Sequence, residues 1–114
     1  MQIVIQSVLF VYSNKLNDMN KIETIVLNHK KTHLIKFNII QDGNKVTYDT
    51  VQIVGELTYD NIVNAIVSYK YPVDKMQAII NNYLLDNEDQ IAVDEFKQMQ
   101  DWRKFAKSYA KELI

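Results

Sequence analysis

The chain has 114 residues, a formal net charge of −1 and no cysteine. This length suits one domain with one modest core, so residues 1–114 are expected to form a single domain. The near-neutral charge excludes a global electrostatic attraction to nucleic acid or acidic membranes. The lack of cysteine excludes disulfides, thiolate metal sites and cysteine nucleophiles.

The first apolar run occupies residues 1–12 and is rich in β-branched side chains, which favours a strand. It is too short for a membrane-spanning helix, which needs about 20 apolar residues. Met19 is a second potential start of the protein. Two interpretations therefore stay open, a native N-terminal strand or an extension of residues 1–18 before a native start at Met19.

Three further segments have the character of strands. Residues 22–28 and 32–40 are rich in β-branched and apolar residues and are joined by the short polar link HKKT. Asp42-Gly43-Asn44 is a turn signal, because Asp-Gly readily adopts positive φ. Residues 45–54 then alternate between apolar and polar side chains and end at Gly55. The pattern predicts an antiparallel meander of three strands, or of four with the N-terminal run.

Beyond Gly55 the apolar period changes from two towards 3.6 residues, which predicts three helices. Thr58 or Asp60 is expected to cap the first helix, which runs to about residue 69. Pro72 marks the first turn of the second helix, and the third spans residues 88–113. The expected buried faces are Val73, Met76, Ile80, Tyr83 and Leu84 on the second helix and Ala92, Phe96, Met99, Trp102, Ala106, Tyr109 and Leu113 on the third. The predicted fold class is α+β, with a three- or four-stranded antiparallel meander followed by three helices.

The residues that could carry catalysis or bind a metal have simpler structural explanations. His29 and His33 flank two lysines in a strand–turn–strand context that would splay them, and no HExxH acid accompanies them. The acidic residues near the third helix suit a solvated helix start, where negative charge is favourable. Two glycines are too few for a phosphate-binding loop. We therefore predict no enzyme activity, no cofactor and no metal site.

Two helical surfaces are candidates for binding a partner. On the second helix, amide and carboxylate side chains share one polar side: Asp74, Gln77, Asn81 and Asn82. Amides both donate and accept hydrogen bonds, so this side predicts a docking face for a protein partner or for self-association. Plain solvent-exposed surface is the structural alternative.

The third helix predicts a second kind of partner. Basic residues interleave with aromatic ones at its C-terminal end, and the basic residues are Arg103, Lys104, Lys107 and Lys111. Such a surface can neutralise phosphates and stack on bases, which makes a small nucleic-acid-binding or regulatory protein the alternative function. The structural alternative is that the aromatic rings are core and the lysines complement the negative helix end.

The segments KYPVDKMQAIINNYLLD and EFKQMQDWRKFAKSYAKE resemble the C-terminal part of small, mostly uncharacterised proteins carried by phages and prophage-like elements of gut anaerobes. The resemblance covers residues 58–114 and involves Tyr71-Pro72, residues 74–79 and Trp102-Arg103. It implies a virion component or assembly accessory, located in the host cytoplasm during expression or associated with the virion. It implies no chemistry, and the expected function is that of a non-enzymatic interaction protein without a membrane partner.

Overall fold

The computed structural model describes residues 20–114. The chain divides into two compact units, a sheet unit that ends at Glu56 and a helical unit, Leu57–Ile114. The α+β class is confirmed, with a three-stranded antiparallel sheet followed by three helices. The fourth strand predicted in residues 1–12 and the extension predicted for residues 1–18 lie outside the described residues.

The sheet consists of β1 (Ile22–Leu27), β2 (Lys30–Asp42) and β3 (Lys45–Val54), in the order β1-β2-β3. Asn28 and His29 join β1 to β2, and both have left-handed backbone angles, with φ of 52° and 66°. A two-residue type I′ hairpin turn requires positive φ at both central positions, and Asn readily adopts it. The turn therefore begins at Asn28, ahead of the predicted HKKT link.

The second hairpin follows the prediction closely. Gly43 (φ 60°) and Asn44 connect β2 to β3, which spans the predicted residues 45–54. Gly55, with φ of 97°, ends the strand. These backbone angles favour glycine because it lacks a Cβ. The positions of Gly43 and Gly55 in the sequence therefore predict where β3 begins and ends.

β2 is the central strand and supplies most of the buried side chains of the sheet unit. Ile35 and Phe37 are fully buried. Lys36, which lies between them, is also buried, and its Nζ contacts Glu23 Oε2 at 2.8 Å and lies 5.3 Å from the centre of the Tyr48 ring. A buried ammonium is tolerated when an opposite charge contacts it, so this ion pair is part of the structure of the sheet.

The helical unit contains α1 (Tyr59–Lys70), α2 (Val73–Leu85) and α3 (Gln90–Leu113). Thr58, one of the two predicted caps, caps α1 by accepting a hydrogen bond from the Asn61 backbone N at 3.1 Å. Pro72 is the N-cap of α2 and lies outside its first turn, so Asp74 is the second helical residue. The side chain of Asp89 caps α3.

α3 packs against both α1 and α2 and organises the core of the helical unit. Tyr71, Ile79 and Met99 form a buried cluster. The predicted buried face of α3 is confirmed in its main members: Ala92, Met99, Ala106 and Tyr109 are buried, and Phe96, Trp102 and Leu113 are partly buried.

The predicted buried face of α2 is wrong at two positions. Val73 and Leu84 are 59% and 73% exposed, whereas Ile79, which the prediction omitted, is 6% exposed. Two neighbouring rows of apolar residues follow the helical period along α2. The row near Tyr83 faces α3, because the Tyr83 ring stacks on Phe96 with their centres 4.2 Å apart.

Candidate functional site

The exposed side of α2 combines amides with aliphatic side chains. All four predicted partner-binding residues are exposed: Asp74, Gln77, Asn81 and Asn82. By helical geometry the first three lie opposite Ile79 and form what is termed the amide stripe. Three exposed aliphatic side chains lie beside it, Val73, Leu84 and Leu85, at 59%, 73% and 87% exposure. Leu84 and Leu85 adjoin each other at the C-terminal end of α2, and adjacent exposed apolar side chains with polar neighbours are typical of contact surfaces.

The connection from α2 to α3, residues 84–91, is termed the acidic corner. Every residue of this segment, LLDNEDQI, is exposed. Its acids are Asp86, Glu88 and Asp89, and it contains no basic residue. Hydrogen bonds to the Asp86 and Asp89 carboxylates come from the backbone N atoms of Glu88 and Ile91, each at 3.0 Å, which orders the turn without neutralising its charge. The corner therefore presents carboxylates beside exposed aliphatic side chains.

The four predicted basic residues lie on one side of α3, termed the basic flank: Arg103, Lys104, Lys107 and Lys111. At about 100° per residue they span an arc of about 100° on the helix. Arg103 donates a hydrogen bond to Gln100 Oε1 at 3.0 Å. Within residues 20–114, none of the four forms an ion pair. The flank therefore carries positive charge that the described part of the chain does not pair.

The basic flank borders an open groove of about 670 Å³, termed the α1–α3 groove. Its aliphatic lining comes from α1 and α2 and consists of Val63, Val67, Val73 and Met76. Arg103 and Lys107 line it from α3, and Tyr59, Asp60, Asn64 and Ser68 complete the lining. The groove thus combines an aliphatic lining with two cations against one carboxylate.

The aromatic rings of α3 take part in packing. Trp102 donates a hydrogen bond from Nε1 to the Ile66 carbonyl oxygen at 2.9 Å, and Lys70 Nζ lies 4.8 Å from the centre of the Trp102 indole. Tyr109 is 9% exposed and stacks on Phe105. Burial, with a smaller effect of the Glu112 charge, raises the pKa of Tyr109 to about 12. These rings stabilise the contacts of α3 within the helical unit, as the structural alternative predicts.

The two histidines are not paired in the structure. His29 is exposed in the β1–β2 turn. His33 is buried in β2, with Nδ1 2.8 Å from Thr24 Oγ1 and Nε2 2.9 Å from the Gly55 carbonyl oxygen. A carbonyl oxygen can only accept, so Nε2 carries a hydrogen. His33 therefore connects β1 to the end of β3.

In residues 20–114, no group of three or more histidines or acids is arranged to hold a metal ion. None of the described helices combines the length and the apolarity needed to cross a bilayer.

Comparison with known proteins finds no match to any family model, curated protein or solved structure. Sequence reasoning identified the amide stripe and the basic flank, but it missed the groove. The sequence does contain two pairs of groove residues at i, i+4 spacing, Val63 with Val67 and Arg103 with Lys107. Only the packing of α1 beside α3 brings the two pairs together.

Proposed function

We propose that this chain is a non-enzymatic interaction protein whose helical unit docks on a protein surface. One observation carries the proposal. Of the 13 residues of α2 only Ile79 is buried, while Val73, Leu84 and Leu85 are 59–87% exposed. Covering aliphatic side chains is favourable by about 25 cal/mol per Å² of apolar area. The amide stripe lies beside them and offers the hydrogen bonds that orient a partner.

The biological setting is part of the same proposal. The resemblance of residues 58–114 to phage-encoded proteins supports a role as a virion component or assembly accessory. Such a protein would meet its partner in the host cytoplasm or on the virion.

The test is co-purification of the tagged, full-length protein from its native cells, infected or induced, with mass spectrometry of nuclease-treated samples. The variant is Leu84→Lys with Leu85→Lys, and a second variant is Gln77→Ala with Asn81→Ala. Ile40→Lys is the matched control, because Ile40 is 60% exposed but lies in the sheet unit.

Partner proteins are expected to survive nuclease, to be retained by the Ile40 control and to be lost from both α2 variants. Retention of the same partners by both α2 variants would contradict the proposal. A circular dichroism spectrum of each variant establishes that a lost partner does not reflect unfolding.

Nucleic-acid binding is a second candidate, favoured by the unpaired charge of the basic flank. It predicts affinity for DNA or RNA that falls steeply with salt, because phosphate contacts release counterions. Lys104→Glu with Lys107→Glu should abolish this binding. In the same co-purification, partners lost after nuclease would favour this function over protein docking.

A further inference from the structure

We propose that the acidic corner of one copy of this chain binds the α1–α3 groove of a second copy. The inference rests on the proposed function, because it names the partner of the exposed helical surface. Each copy carries both halves of the contact, so no other protein is needed.

The charges of the two surfaces are opposite. The corner contributes Asp86, Glu88 and Asp89, and the groove contributes Arg103 and Lys107. Within the described residues, neither set is neutralised by an ion pair. Opposite unpaired charges attract on approach and fix the register of a contact. The corner therefore fits the groove electrostatically.

The apolar parts of the two surfaces also correspond. Leu84, Leu85 and Ile91 are 73%, 87% and 71% exposed on the corner. Packing these side chains against the aliphatic lining of the groove would remove their apolar surface from water, which is favourable. The groove is open to solvent and has a volume of about 670 Å³. It has room for several corner side chains.

Helix geometry makes the contact intermolecular. Val73 lines the groove at the start of α2, whereas Leu85 belongs to the corner at the end of the same helix. Twelve residues at about 1.5 Å each separate them by about 18 Å along a continuous helix. The corner cannot reach its own groove, so a contact between these two surfaces joins two copies of the chain.

A protein segment suits the groove better than nucleic acid does. Phosphates match Arg103 and Lys107 but have no counterpart to the aliphatic lining. Trp102 and Tyr109, which could stack on bases, are held in packing contacts within the helical unit. An acidic segment with leucines matches both the charge and the lining.

The experiment uses charge reversal on the full-length chain. The groove variant is Arg103→Glu with Lys107→Glu, and the corner variant is Asp86→Lys with Glu88→Lys. Lys30→Glu with Lys31→Glu is the matched control, because it changes the net charge as the groove variant does but at exposed positions of β2. Mean mass is measured by light scattering over a concentration series.

The wild type and the Lys30/Lys31 control are expected to gain mass with concentration, while each reversed variant remains at the monomer mass. Mixing the two reversed variants should restore association, since each corner then meets a groove of opposite charge. This rescue also shows that the variants are folded. A mixture that stays monomeric overturns the proposal.

The inference and the proposed function fail separately. A wild type that is monomeric at every concentration overturns the inference, whereas partners that still depend on Leu84 and Leu85 keep the proposed function. An oligonucleotide bound by a monomeric wild type, and lost in the groove variant, overturns the inference and assigns the basic flank to nucleic acid.

Discussion

Trp102 connects α3 to α1 by a hydrogen bond as well as by packing. Its Nε1 donates to the Ile66 carbonyl oxygen at 2.9 Å, and its indole lies 5.0 Å from the Phe105 ring, centre to centre. We expect Trp102→Ala to lower the free energy of unfolding by about 3 kcal/mol, the lower end for a large aromatic, because the side chain is only partly buried.

Trp102→Phe separates the contribution of the hydrogen bond from that of ring packing, since it keeps an aromatic ring and removes the donor. We expect it to cost about 1 kcal/mol, the usual net value of one hydrogen bond. Urea denaturation of both variants measures the difference. Equal costs for Phe and Ala would show that the ring contributes nothing, and an unchanged Ala variant would place Trp102 outside the core.

Tyr109 makes stability depend on pH in the alkaline range. In the unfolded chain its pKa is near 10.0, whereas burial raises the pKa to about 12 in the folded protein. The unfolded state therefore loses its proton first, and the free energy of unfolding falls as pH rises from about 10 to about 12. A pKa that is higher by about two in the folded protein corresponds to about 2–3 kcal/mol of stability.

The Tyr109→Phe variant isolates this effect, because it removes the ionisable hydroxyl and keeps the ring. Between about pH 9 and about pH 12 the wild type should lose about 2 kcal/mol more stability than the variant. Denaturation curves of both proteins at the two pH values give the comparison. A parallel decline of both would rule out a contribution from Tyr109.

The β1–β2 hairpin turn contains a residue that its backbone angles do not favour. His29 adopts φ of 66°, where a side chain with a Cβ is strained. His29→Gly relieves this strain but gains freedom in the unfolded chain, so we expect a net stabilisation of about 0.5–1 kcal/mol. His29→Val should instead cost about 1–2 kcal/mol, because β-branched side chains tolerate this region poorly. Thermal unfolding of the three proteins measures the order.

Gly43 is the control for that argument. Its φ is 60°, and a Cβ built there meets nothing within 4 Å. Gly43→Ala should therefore lose stability through the backbone alone. If the alanine variant is as stable as the wild type, backbone strain does not explain the behaviour of either turn.

Local signals also explain which elements follow from the sequence. Thr58, Gly43 and Gly55 act on the backbone within a few residues, so the bounds of β3 are predicted correctly and the cap of α1 is one of the two predicted residues. Which side of α2 is buried could not be predicted from the sequence, because two apolar rows on this helix have the same period. The stacking of Tyr83 on Phe96 determines which row faces α3. The groove needs α1 to pack beside α3, and no local pattern encodes that contact.

The chain has a nearly balanced charge, and within its helical unit the two signs are separated. The net charge of −1 leaves little repulsion between copies. Within the helical unit, the acidic corner and the basic flank occupy separate surfaces, and the described chain neutralises neither by ion pairs. A nearly neutral molecule with separated charges favours oriented association, which is the arrangement that corner-to-groove binding requires.

Salt separates the electrostatic from the apolar part of that contact. Between about 0.1 M and about 1 M salt the Debye length falls from about 10 Å to about 3 Å, which screens exposed charges. We expect the mean mass of the wild type at fixed concentration to fall towards that of the monomer. Leu84→Ser with Leu85→Ser should associate more weakly at every salt concentration, because it removes apolar area and keeps the charges. Light scattering across the salt series measures both proteins. A mass that is constant or rises with salt would mean that apolar contacts alone hold the copies together, and that the carboxylates of the corner do not meet Arg103 and Lys107.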